Sequence, residues 1–132
     1  MLKIGGQTMP TDPSTCVTQL RSACPQPEKK AAASSGYTVY NLPHGPNVNH
    51  TQQLDMLATY LLTRGPYGFI GHGWEGSCNV GYDLPDEYRQ DYGVPNNNCT
   101  ETNAGSGVFT REWSQATVKI ECSSLTATIT MK

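Results

Sequence analysis

The chain has 132 residues, enough for one small domain or a piece of a larger one, with a formal net charge of −2. An apolar fraction of 36% with 13 glycines and 9 prolines describes a loop-rich chain around a modest core. This charge balance, with no basic run beyond Lys29-Lys30, offers nothing to nucleic acid or an anionic membrane surface, and no apolar run approaches the ~20 residues of a membrane span.

Residues 1–12 carry no periodicity and read as coil. Residues 13–24, PSTCVTQLRSAC, read as a short helix with Asp12 as N-cap and Pro13 at the first helical position; Pro25 and Pro27 end it. EKKAAASSG reads as a brief helical tail closed by Gly36. YTVYNL, residues 37–42, is β-branched and aromatic, is stopped by Pro43, and reads as a strand. The strongest local signal follows: Leu54, Leu57, Ala58, Leu61 and Leu62 share one face at helical period. Asn49 and Gln52 form a capping-box pattern, and Gly65-Pro66 is a stop signal. YGFIGHGW then gives a short strand over 67–71. A strand, a helical crossover and a second strand predict a parallel pair with a right-handed connection. One helix cannot cover both faces of such a pair, so the unit looks incomplete.

Residues 77–107 are polar and turn-forming, with VPNNNCTETNAGSG as a long exposed loop. The tail then alternates from Val108 to Trp113, from Val118 to Cys122, and through Leu125, Ala127, Ile129 and Met131. Period-two alternation across short turns predicts an antiparallel meander of about three strands.

Five cysteines, Cys16, Cys24, Cys78, Cys99 and Cys122, are many for this length, and none forms a Cys-x-x-Cys pair. Two sequons, Asn49-His50-Thr51 and Asn98-Cys99-Thr100, mark Asn49 and Asn98 as glycosylation candidates. Together they point to an oxidising, secretory compartment. The opening MLKIGGQTMPTD has no apolar h-region, so a leader is expected upstream of it; a cytosolic protein with chance sequons is the other reading. Cys78–Cys99 and Cys16–Cys24 are the candidate bridges, with Cys122 left over in the meander or lacking an upstream partner; free thiols are the alternative.

Chemistry gathers at the end of the second strand. His72, Trp74 and Glu75 lie where a parallel strand delivers side chains to a ligand-binding edge. Trp74 offers a flat face to a sugar ring and Glu75 a partner for hydroxyls; the bland reading is a packed tryptophan and a solvated acid. Glycosidase chemistry needs two carboxylates about 5–10 Å apart. Beyond Glu75 the candidates are Asp83, Asp86, Glu87 and Asp91, in a turn-like stretch where solvated acids are the default. His44, His50 and His72 are dispersed, so neither a metal nor a cofactor is expected.

QQLDMLATYLLTRGPYGFIGHGWEG, then DYGVP, then GVFTREWSQATVKIEC, in that order, resemble the C-terminal part of a glycoside hydrolase family with a TIM-type (β/α)8 barrel. Tyr60-Leu61-Leu62, Gly73-Trp74, Tyr92-Gly93-Val94-Pro95, Phe109-Thr110-Arg111-Glu112-Trp113, Ala116 and Val118 carry the likeness, over residues ~30–130. The resemblance implies an α/β fragment: the last βαβ unit of a (β/α)8 barrel followed by a C-terminal antiparallel β meander. Residues 1–76 would be partial barrel, 77–107 a polar loop and 108–132 a β appendage, with Arg111 holding the appendage to the barrel or bonding a carboxylate. The family's catalytic acids would lie on earlier strands, and the strand over 37–42 ends in Asn41 and His44 instead. The expected function is that of a C-terminal glycoside hydrolase fragment, with His44, His72, Trp74 and Glu75 as a carbohydrate-facing wall and little or no turnover. A small secreted, disulfide-bonded carbohydrate-binding protein without catalysis is the first alternative. An intact small hydrolase using Glu75 with Asp83 or Asp86 is the second.

Overall fold

The computed structural model describes residues 12–25, 38–41, 49–66, 68–71 and 85–132, with 38–41 described as backbone only. Helix α1, Pro13–Ala23, starts as its sequence requires: Asp12 is extended, its carboxylate accepts from the Thr15 amide at 2.8 Å, and Pro13 follows in the first turn. Helix α2, His50–Thr63, opens on the full capping box. Asn49 Oδ1 accepts from the Gln52 amide at 2.9 Å, and Gln52 Oε1 accepts from the Asn49 amide at 3.0 Å. Every residue of α2 from Met56 to Thr63 is buried, so its second half is covered on all sides.

Strands β1, Thr38–Asn41, and β2, Gly68–Gly71, pair in parallel from Thr38↔Gly68 to Asn41↔Gly71, with α2 as the crossover between them. The local β-α-β unit is therefore present. A barrel fragment is not. Strands β3, Thr100–Glu101, β4, Val108–Glu112, β5, Ala116–Glu121, and β6, Thr126–Met131, form an antiparallel sheet in the order β3-β4-β5-β6. Helix α2 packs chiefly on β5 and β6 and less on β4 and β2. In a (β/α)8 barrel a crossover helix covers its own parallel strands; here it covers an antiparallel sheet from later in the chain. Among the described residues the fold is a small domain of two α-helices and a four-stranded antiparallel sheet beside the parallel pair, and the reading as the last βαβ unit of a TIM-type barrel is overturned. The meander gains a fourth strand, β3, inside the stretch read as loop.

Alternation along the strands explains the layers. Phe109 and Arg111 on β4, and Ala116, Val118 and Ile120 on β5, are buried and face the helices. Their cross-strand neighbours on β6, Ala127 and Ile129, pack against the same core. The opposite face carries Thr110, Glu112, Thr117, Lys119, Glu121, Thr126, Thr128 and Thr130, by the period-two rule.

Two disulfides fasten α1 to this sheet: Cys16–Cys122, 106 residues apart in sequence, and Cys24–Cys99, 75 apart. The anticipated Cys16–Cys24 bridge cannot form, since eight residues of helix separate the two by ~12 Å, beyond the reach of a disulfide. The same spacing puts both on one face of α1, and both reach across to the sheet. Cys99 is accordingly taken by Cys24 rather than Cys78, and Cys122 is paired rather than left over. Cys78 lies outside the described residues.

Candidate functional site

Helix α2 ends under β4. Its last turn leaves carbonyl oxygens without intrahelical partners, the negative end of the helix dipole. Arg111, only 4% exposed, supplies the donors. Its guanidinium donates to Leu61 O at 3.1 Å, Arg64 O at 2.7 Å and, across the chain, Asn97 O at 2.8 Å. Trp113, also buried, donates its indole N–H to Leu61 O at 3.1 Å. The Arg111 and Arg64 guanidinium carbons lie 5.4 Å and 5.8 Å from the Trp113 ring, a cation–π arrangement on both counts. Among the described residues, the Arg111 guanidinium binds backbone carbonyls, those of the α2 end and that of Asn97.

Gly65 and Pro66 then turn the chain into β2. The Gly68 amide donates to Gly65 O at 3.2 Å, and the Tyr60 hydroxyl donates to Gly68 O at the same distance. Opposite this corner runs the segment 95–98. It is held by a Pro95–Trp113 bridge, by the Asn96 amide on Glu112 O at 2.9 Å, and by Asn97 Oδ1 accepting from the Glu112 amide at 3.1 Å. Tyr92-Gly93-Val94-Pro95 aims this segment. Gly93 sits at φ +80°, its amide donates to Asp91 Oδ1 at 2.8 Å, and a Cβ there would collide with Ser114.

Between the two lies a polar cleft of about 520 Å³, lined by Arg64, Gly65, Pro66, Pro95, Asn96–Asn98 and Arg111. Exposed Asn96 and Asn98 put amides on its rim, Arg64 adds a guanidinium, and the two proline rings add small apolar patches. No carboxylate is among these lining residues. Such a lining can hydrogen-bond hydroxyls and receive a negatively charged group, and its described residues include no acid–base pair.

Of the sequence-predicted site residues, His44, His72, Trp74, Glu75 and Asp83 lie outside the described residues. The described acids are each engaged elsewhere. Glu87 meets His50 Nε2 at 3.1 Å, Asp86 meets Arg89 at 3.3 Å, and Asp91 holds the Gly93 turn. No group of 3 or more His, Cys, Asp or Glu residues among the described residues is placed to hold a metal ion. Asn98 is exposed, whereas the exposed Asn49 side chain is already the α2 cap. Sequence reasoning missed Arg64 and Asn96: a polar Asn run after a turn reads as solvated loop unless one knows what it faces.

No protein-family model matches the chain, and no curated protein matches it. Among the described residues no helix is long and apolar enough to cross a membrane.

Proposed function

We propose that the chain is a secreted, disulfide-bonded carbohydrate-binding domain without catalysis of its own. One observation carries the reading: the described lining of the cleft at the end of α2 is made of amides, guanidinium and proline rings. Amides pair with sugar hydroxyls as donor and acceptor at once. Arg64 favours saccharides that carry a carboxylate or sulfate, because a planar guanidinium pairs with such groups bidentately. Two disulfides and an exposed sequon asparagine at the cleft rim support an oxidising, secretory setting.

NMR titration with neutral and uronic-acid oligosaccharides tests this. Amide shifts confined to Asn96 and its neighbours are expected, stronger for the acidic sugars and lost in Arg64→Ala, with no reducing ends released on long incubation. Absence of any shift at millimolar saccharide, or sustained hydrolysis, overturns the reading.

A further inference from the structure

We infer that the outer edge of β6 is a self-pairing surface, through which two copies of the chain join their sheets about a two-fold axis. Strand β6 is last in the sheet order, and no described segment pairs with its far side. The Lys132 amide donates to Gln115 O at 3.0 Å, and Ala116 lies opposite Met131. Lys132 and the even-numbered residues before it therefore turn their backbone groups toward β5. By the antiparallel rule the N–H and C=O groups of Ala127, Ile129 and Met131 point outward.

Natural edge strands carry charge, proline or a bulge to deter pairing. TATITM has no charge and no proline, and its register with β5 runs unbroken from Thr126 to Met131. The charge that follows it in the chain, Lys132, is folded back over the polar face, with Nζ 2.8 Å from Trp113 O and 3.0 Å from Glu112 Oε2.

The pattern selects a second copy and a register. Antiparallel pairing centred on Ile129 sets Ile129 against itself, Ala127 against Met131 and Thr128 against Thr130. Every outward backbone group of Ala127, Ile129 and Met131 then finds a partner, apolar residues meet on the helix side, and threonines meet on the other. A groove of about 210 Å³ runs beside this edge, lined by Leu54, Ala58, Tyr92, Ala127, Ile129 and Met131 among others. Met131, 42% exposed in the single chain, is the large side chain placed over Ala127 of the second copy, where it enters that groove. The contact is isologous and closes on itself, so it yields a dimer rather than a fibre.

Sedimentation of the full chain from ~1 to ~100 µM, the range proper to a modest interface, should show a dimer. Met131→Pro, which removes an outward N–H while sparing the bonds to β5, should be monomeric with an unchanged near-ultraviolet CD spectrum. In a Cys78→Ser background, an oxidised mixture of Thr128→Cys and Thr130→Cys chains should give a covalent dimer that neither variant gives alone. A wild-type chain monomeric throughout the range, a folded Met131→Pro dimer, or a dimer whose mixed cysteines fail to link each overturns the inference.

Discussion

Arg111 and Trp113, two positions apart at the end of β4, donate to the same carbonyl oxygen, that of Leu61 in the last turn of α2, each at 3.1 Å. The strand thus caps the helix, a task usually left to a glycine or to water. Both side chains are buried, Trp113 one residue past β4 keeping the parity of Arg111. The cap fixes where α2 stops, and the stop sets one wall of the cleft.

Replacing Arg111 should therefore unfold more than it neutralises. Arg111→Ala removes the guanidinium donor from the Arg64 and Asn97 carbonyls and leaves Leu61 O with Trp113 alone, and should cost about 2–4 kcal/mol. Arg111→Lys should recover only part of it, since a compact ammonium cannot reach both Asn97 O, held by Nε, and the α2 carbonyls, held by Nη1. Urea unfolding followed by far-ultraviolet CD measures both; a loss below ~0.5 kcal/mol for Arg111→Ala would discount the cap.

The disulfide pairing is checked by non-reducing peptide mapping. Cys16 should be found linked to Cys122 and Cys24 to Cys99, with alkylating reagent entering none of these four in the unreduced chain. On the chain-entropy account each bridge contributes about 4–5 kcal/mol at these loop lengths. Full reduction should consequently lower the midpoint of thermal unfolding by tens of degrees, or abolish folding at 37 °C.

Acid should act through Glu101. The Arg21 fork, at 3.0 and 2.8 Å, and after it the Gly107 amide at 2.9 Å hold its carboxyl at about 2, against an ordinary 4.5. A folded-state value below the unfolded one means stability that is complete above the unfolded value and disappears as pH falls through the folded one. Glu101→Gln should flatten the loss of stability between roughly pH 4.5 and 2 and leave the slope near neutrality unchanged. Equal slopes for both chains below pH 4 would remove Glu101 from the account.

Gly93 should tolerate no side chain. Its φ of +80° and the adjacent Ser114 hydroxyl both oppose a Cβ. Gly93→Ala should cost more than ~1 kcal/mol, and amide shifts should spread to Asn96–Asn98 because the turn aims that segment.

The two sequons separate cap from glycan. Expressed in a secretory host, Asn98→Gln should lose one glycan mass with little change in stability, its asparagine being exposed. Asn49→Gln should destabilise the unglycosylated chain by about 1 kcal/mol, since the α2 cap goes with it.

Both helix starts were legible in the sequence, because Asp12-Pro13 and Asn49…Gln52 act through bonds three residues long. So was the parallel pairing of residues 38–41 with 68–71 across α2. What α2 lies against was not legible: an apolar helical face carries no label for the sheet that will cover it, and the barrel reading failed there. Cysteine pairing failed for a related reason, as Cys16 and Cys24 are neighbours in sequence but rigidly held apart within one helix. The two-residue strand β3 is too short to alternate. The cleft escaped notice because Asn96–Asn98 become a wall only once Arg64 and Pro66 stand opposite.

The two disulfides are nested, Cys24–Cys99 lying wholly within Cys16–Cys122. A single proteolytic nick anywhere between Cys24 and Cys99 therefore releases nothing: the α1 piece stays moored to the sheet by both bridges. A clipped molecule would migrate at full mass until reduced, as a two-chain protein born from one, and its interior segment could be cut or lengthened without setting the helix adrift.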